Sequence, residues 1–149
     1  MRAVVQRASK AQVEVDGKTI ATISKGLVVF AGVGNTDSSQ DLQYIADKIA
    51  NLRVFEDESG KMNSSPVDIN ADILVISNFT VYGDMRHGRR PDFTAAARPD
   101  AAKSLYEKFV ETLKRHKLKV ESGEFQAMMN VVVENDGPVT ILLDSKKGF

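Results

Sequence analysis

Cysteine is absent from the chain, which removes disulfides, a thiol nucleophile, thiolate zinc sites and iron-sulfur clusters together. No apolar run approaches the length of about 18 residues that a membrane helix requires. The opening Met1-Arg2-Ala3-Val4-Val5 lacks the long apolar region of a secretory signal, so a cytoplasmic location is expected. An excess of charge is lacking too: 20 Lys and Arg balance 20 Asp and Glu. The field of the whole protein therefore does not announce a nucleic-acid binder, and any such role must rest on a local patch. The 2 histidines, His87 and His116, show no H-x-H or H-E-x-x-H spacing, so neither a metal nor another cofactor is expected. A Ser-His-Asp triad would have to draw on one of them and is not favoured.

Repeats, linkers and low-complexity tracts are missing as well. With 149 residues, 42% of them hydrophobic, the expectation is a single domain over residues 1–149. It is long enough to bury roughly 68 to 70% of its unfolded surface without a staple. Residues 2–9 and 11–16 alternate apolar and polar side chains, and Asp16-Gly17 is a hairpin signal leading into residues 19–23, so three strands are expected to open the chain. The continuous apolar run "GLVVFAGV", residues 26–33, suits a strand covered on both faces. Ser38 and Asp41 form a capping-box signature before Leu42, Ile45, Ile49 and Leu52, which recur at helical spacing.

Residues 54–68 predict a short strand and a polar turn, and "ADILVIS", residues 71–77, a second core strand. Residues 78–98 read as mostly irregular. Asp100 is placed to cap a second helix, whose stripe of Leu105, Phe109 and Leu113 ends near His116. Further strands are expected at residues 119–122, 128–134 and 139–143. Between the last two, Asn135-Asp136-Gly137-Pro138 predicts a sharp connection, because proline donates no backbone hydrogen bond. The architecture expected is α/β, a mixed sheet with two covering helices.

Three stretches carry chemistry. "GVGN", residues 32–35, sits between a strand and a helix, yet it lacks the third glycine of a dinucleotide loop and the lysine of a P-loop, so it reads as an ordinary turn. "RHGRRPDFTAAAR", residues 86–98, gathers Arg86, His87, Arg89, Arg90 and Arg98 around Phe93. It offers guanidinium forks for phosphates and an aromatic for a base, or is a solvated loop partly neutralised by Asp84 and Asp92; both readings stand. "ISNFTVYGD", residues 76–84, ends a core strand with hydroxyls, an amide and an aromatic, where strand ends commonly present ligand-binding groups. Polar capping of the strand end accounts for the same residues.

"SNFTV" at residues 77–81 and "NDGPVT" at 135–140 resemble the two signature motifs of the D-aminoacyl-tRNA deacylases, S-Q-F-T-L and N-x-G-P-V-T. The resemblance extends to "MRAVVQR" at 1–7, "GKMN" at 60–63, "GRRPDF" at 88–93 and "SGEFQAMM" at 122–129. The first motif departs at Asn78, where the family has glutamine, and at Val81, where it has leucine. The resemblance implies a homodimer with barrel-like sheet packing and active sites at the subunit interface. It implies a cis Gly137-Pro138 peptide that enters the site of the other subunit. Ser77, Asn78, Phe79 and Thr80 are then the catalytic stretch. Gly137, Pro138, Met129, Phe125 and Arg7 bind the substrate, and Arg86, Arg89 and Arg90 bind tRNA.

The implied reaction is hydrolysis of the ester of D-aminoacyl-tRNA, with L-aminoacyl esters rejected and glycyl-tRNA a secondary substrate. Such an ester is already reactive, so a site that positions it and stabilises the oxyanion needs no strong protein base. The substrate's own 2′-hydroxyl is the favoured activator of water, and Thr80 as a nucleophile has no adjacent base in the sequence. The partners expected are the tRNA acceptor end and a second copy of the chain, with no membrane and no DNA. A non-catalytic tRNA-end binding module and a general serine or threonine esterase are the alternatives.

Overall fold

A computed structural model describes residues 1–148. Eight strands and three helices follow one another as β1 (Arg2–Val15), β2 (Lys18–Ile23), β3 (Gly26–Gly32), α1 (Ser39–Ala50), β4 (Phe55–Glu56), β5 (Met62–Ser64), α2 (Pro66–Ile69), β6 (Asp72–Ser77), α3 (Pro99–Arg115), β7 (Val120–Ser122) and β8 (Asn130–Asp144), with a 3-10 turn at Phe79–Tyr82. The main sheet runs β2-β1-β3-β6-β7, with β8 alongside β1. β3, β6 and β7 are parallel to one another, and the pairs of β1 are antiparallel. The sheet is mixed and curls into a nearly closed barrel.

Residues of alternate parity along the strands build two cores, as the two faces of a pleated sheet require. Val5, Leu27, Val29, Ile73 and Val75 pack with Ile45 and Ile49 of α1 and Phe109 and Leu113 of α3. Ala8, Val13, Ile23, Val28, Leu74 and Ile76 fill the barrel interior. Both covering helices lie on the first face, in agreement with their apolar stripes. α1 begins as its sequence signals, with Ser38 N and Oγ donating to Asp41 Oδ2 at 2.8 and 2.9 Å. α3 differs: its N-cap is Arg98, with Pro99 at its first position and Asp100 inside the first turn. Proline needs no amide partner there, so the helix starts at Pro99 and its cap lies two residues before the expected one. Residues 54–69 also hold more than a short strand and a turn, namely the β4–β5 pair and α2.

The two long outer strands depart most from expectation. Residues 2–15 form one strand instead of two, and residues 130–144 form one strand through the Gly-Pro sequence. The reason lies in their pairing, which runs from Arg2↔Asp144 to Glu14↔Asn130. Between Gln6↔Thr140 and Ala8↔Asn135, β8 advances five residues while β1 advances two. The extra residues, Asp136, Gly137 and Pro138, are exposed. A bulge absorbs them without ending the ladder. The Gly137-Pro138 peptide is cis.

Candidate active site

β6 and β7 run parallel, with Val75 opposite Ser122, and Gly123 N donates to Val75 O at 2.9 Å. The segments leaving these two strands therefore emerge at the same sheet end. From β6 come Ser77, Asn78 and Phe79; from β7 come Phe125, Met128 and Met129. A third segment is tied to the end of β3, where Ala97 N donates to Val33 O and Asn35 N to Ala95 O, both at 2.9 Å. Together they enclose a cleft of about 810 Å³. Phe30, Ile76 and Val131 line it from the sheet, Ala96, Ala97 and Ala102 from the opposite wall.

Every residue lining the cleft is uncharged. Phe79 is 56% exposed and meets Phe93 edge to face, with ring centroids 5.1 Å apart. Met128 stands at 92% exposure. Phe125 is backed by the buried ring of Tyr106 at 5.8 Å, and the Tyr106 hydroxyl donates to Val75 O at 3.0 Å. Burial pushes that hydroxyl well above the usual phenol range, so it remains a donor. The turn after β6 is pinned from below, where Tyr82 Oη donates to Asp37 Oδ2 at 3.3 Å and Asn78 N to Ala31 O at 2.8 Å.

The cleft thus gathers Ser77, Asn78, Phe79, Phe125 and Met129, five of the residues named from sequence. Thr80 follows directly, exposed, its hydroxyl donated to Asn78 Oδ1. Arg7, Gly137 and Pro138 are not among the lining residues. They form a second cluster, along β8 from Val131 by roughly 20 Å at the usual strand rise. Arg7 is 8% exposed; its Nη1 donates to Val54 O at 2.6 Å and its Nε to Asp136 O at 3.1 Å. Asn135 Nδ2 donates to Arg7 O at 2.9 Å and Val139 O at 3.0 Å, drawing the base of the bulge closed. Gly137 has φ +134°, and a Cβ there would lie 2.7 Å from Val139 Cγ2 and 2.8 Å from Val139 N. Only glycine fits.

In the basic loop, Arg86 turns back on Asp84: its Nε lies 3.0 Å from both carboxylate oxygens. The guanidinium holds the Asp84 carboxyl well below the usual carboxylate range. Arg89 and Arg90 are exposed and have no ion pair among the described residues. Phe30, Val131 and the 96–102 wall were not named from sequence. Phe93 entered the sequence reading only as a loop aromatic; its place beside Phe79 depends on the pairing Asp84↔Asp92. His116 caps α3 with Nε2 3.0 Å from Asp47 Oδ1, far along the helix from the cleft-lining Ala102.

No helix among the described residues is long and apolar enough to cross a membrane. Residues 4–144 match the model of the family described as D-Tyr-tRNA(Tyr) deacylase. The chain is 58% identical over 149 residues to the D-aminoacyl-tRNA deacylase of Thermosipho africanus and 59% identical over 149 residues to that of Thermotoga petrophila, with 100% of both chains covered in each case. Among solved structures, the c-Myc DNA Unwinding Element Binding Protein superposes with a TM-score of 0.91 at 42% identity, over 97% of this chain and 98% of that one. A structure described as a probable eukaryotic D-amino acid tRNA deacylase superposes with a TM-score of 0.82 at 18% identity, over 96% of this chain and 98% of that one, a likeness of fold.

Proposed function

The chain belongs to the D-Tyr-tRNA(Tyr) deacylase family, and from that premise we propose that its cleft hydrolyses the ester between a D-amino acid and the terminal ribose of tRNA. The observation that carries this is the cleft itself: about 810 Å³ at the strand ends, with hydroxyl, amide and aromatic groups and no ionisable side chain. Such a site cannot supply a general base from its lining, so the substrate must bring its own activating group. The 2′-hydroxyl beside an aminoacyl ester is such a group. For a reactive ester, positioning and a donor to the developing oxyanion suffice.

Selection for the D-enantiomer is assigned to the backbone at Gly137-Pro138 of a second subunit. Within one chain this bulge lies outside the cleft and its residues are exposed, and a homodimer would bring the two together. A rigid backbone carbonyl facing the substrate Cα admits hydrogen and clashes with a side chain. The L-enantiomer is then rejected, and achiral glycyl-tRNA escapes as a secondary substrate. A penalty of about 3 kcal/mol in the transition state gives roughly a hundredfold preference. Light scattering at micromolar concentration is expected to give the dimer mass.

The test is release of amino acid from matched D-tyrosyl-, L-tyrosyl- and glycyl-tRNA. The expected order is D-tyrosyl first, glycyl second, and L-tyrosyl at least a hundredfold below the first. A gel shift of D-tyrosyl-tRNA without release would make the protein an acceptor-end binding module. Equal cleavage of both enantiomers would remove the backbone filter while leaving the esterase reading.

A further inference from the structure

Asn78 closes the turn after β6 with its side-chain oxygen. Oδ1 accepts from Thr80 N at 3.1 Å and also from the Thr80 hydroxyl. A backbone N–H can meet only the oxygen end of an amide, which fixes the orientation of the Asn78 side chain. That oxygen carries no hydrogen, so the Thr80 hydroxyl reaches it only as a donor. The opposite end, Nδ2, has no partner among the described residues, and Asn78 lines the cleft.

We infer that Asn78 is a positioning residue: it caps the Phe79–Tyr82 turn and commits the Thr80 proton inward, so that Thr80 Oγ faces a substrate with lone pairs only. The inference rests on the reading of the cleft as an aminoacyl-ester site. Under it, Thr80 is a hydrogen-bond acceptor for a substrate ammonium or hydroxyl, and neither a donor nor a nucleophile.

The surroundings explain why a cap matters here. The turn already presses on β3, since a Cβ on Gly32 would lie 2.4 Å from Val81 Cγ2 and 2.9 Å from Asn78 O. An uncapped turn has no room to relax toward the sheet and can only move outward, into the cleft. Phe79 would move with it, because Phe93 is its one aromatic partner among the described residues and more than half its surface is open. The reach is equally specific. An asparagine oxygen bonds the N–H two residues on, whereas glutamine, one methylene longer, is not among the residues that cap well. The chain has asparagine where the motif it resembles has glutamine.

Capping and a substrate contact by Nδ2 make opposite demands, which a four-protein series separates. Asn78→Ser keeps a capping oxygen and loses the amide; Asn78→Gln keeps the amide and loses the cap; Asn78→Ala loses both. The readouts are kcat/KM on D-tyrosyl-tRNA and hydrogen exchange at the Thr80 amide. Asn78→Ala and Asn78→Gln are expected to fall roughly fivefold to tenfold in rate, the size of a lost cap, and to expose the Thr80 amide. Asn78→Ser is expected to regain much of both. If Asn78→Gln matches wild type while Asn78→Ser falls with Asn78→Ala, the amide contacts substrate and the capping role is wrong. Equal values across the series overturn it as well. Failure of wild type to release D-tyrosine strikes the aminoacyl-ester reading instead, and the exchange series still decides the cap.

Discussion

Arg7 and Asp136 meet twice: the guanidinium Nε donates to the Asp136 carbonyl oxygen at 3.1 Å and lies 3.2 Å from its carboxylate Oδ2. The same guanidinium reaches Val54 O through Nη1 at 2.6 Å, which ties the bulge of β8 to the segment that leads from α1 into β4. Arg7→Ala leaves a buried carbonyl without its charged donor, and a loss of about 2 to 3 kcal/mol is expected by urea denaturation. Arg7→Lys should recover little, since a single ammonium cannot span both acceptors. An unchanged midpoint in Arg7→Ala would assign the bulge's shape to Asn135 alone.

Gly137→Ala places a Cβ within 2.8 Å of the Val139 backbone at a φ of +134°. The bulge must shift, while the two cores, which hold none of its residues, stay packed. The expected result is a folded protein with at least a tenfold loss of D-tyrosyl-tRNA cleavage and a weaker D-over-L ratio. Wild-type values for both would separate Gly137 from the reaction.

The basic loop is expected to hold tRNA phosphates through Arg89 and Arg90. Each Ala substitution should weaken binding and reduce the log-log salt slope by roughly one per contact removed. Arg86, already paired with Asp84, should change the slope less. Duplex DNA is the informative competitor, because one solved relative is named as a DNA unwinding element binding protein. Displacement of the acceptor end by DNA at equal concentration would contradict the expected preference for tRNA.

Thr80→Ala should retain appreciable hydrolysis, because the Thr80 proton is held by Asn78 and the lining supplies no base. Substrate lacking the terminal 2′-hydroxyl should react far more slowly. A folded but inactive Thr80→Ala, together with normal cleavage of the modified substrate, would refute substrate assistance.

Acid stability should report Asp41. Burial pushes its carboxyl up, but the Lys146 ammonium at 2.7 Å and the Ser38 amide at 2.8 Å outweigh this and hold it below its ordinary 3.8. A depressed folded pKa stabilises above the unfolded value and is lost as pH falls through the folded one. Stability should therefore decline as pH drops below about 3.8. Asp41→Asn should flatten that decline while lowering stability at neutral pH; an unaltered acid slope would assign the decline to other carboxylates.

Periodicity alone determined α1, α3 and the buried strands β3 and β6, because each buries one stripe or both faces against a core and must be written apolar at that spacing. The end of β6 was legible as a site for the same reason: the polar side chains of Ser77, Asn78 and Thr80 interrupt a stretch that is apolar from Ile73 to Ile76. Only the tertiary structure decided that β1 and β8 are unbroken. A proline and a run of polar residues announce an interruption, but whether it becomes a turn or a bulge depends on a partner strand more than a hundred residues away. The meeting of Ser77 and Asn78 with Phe125 and Met129 follows likewise from the parallel pairing of β6 with β7, which no local pattern encodes. The composition excluded a thiol, and the two histidines show no metal-binding spacing. It was the folded chain that placed Arg86 on Asp84, Thr80 on Asn78 and Arg7 on Asp136, because those bonds need backbone turns that set two side chains within 3 Å or so.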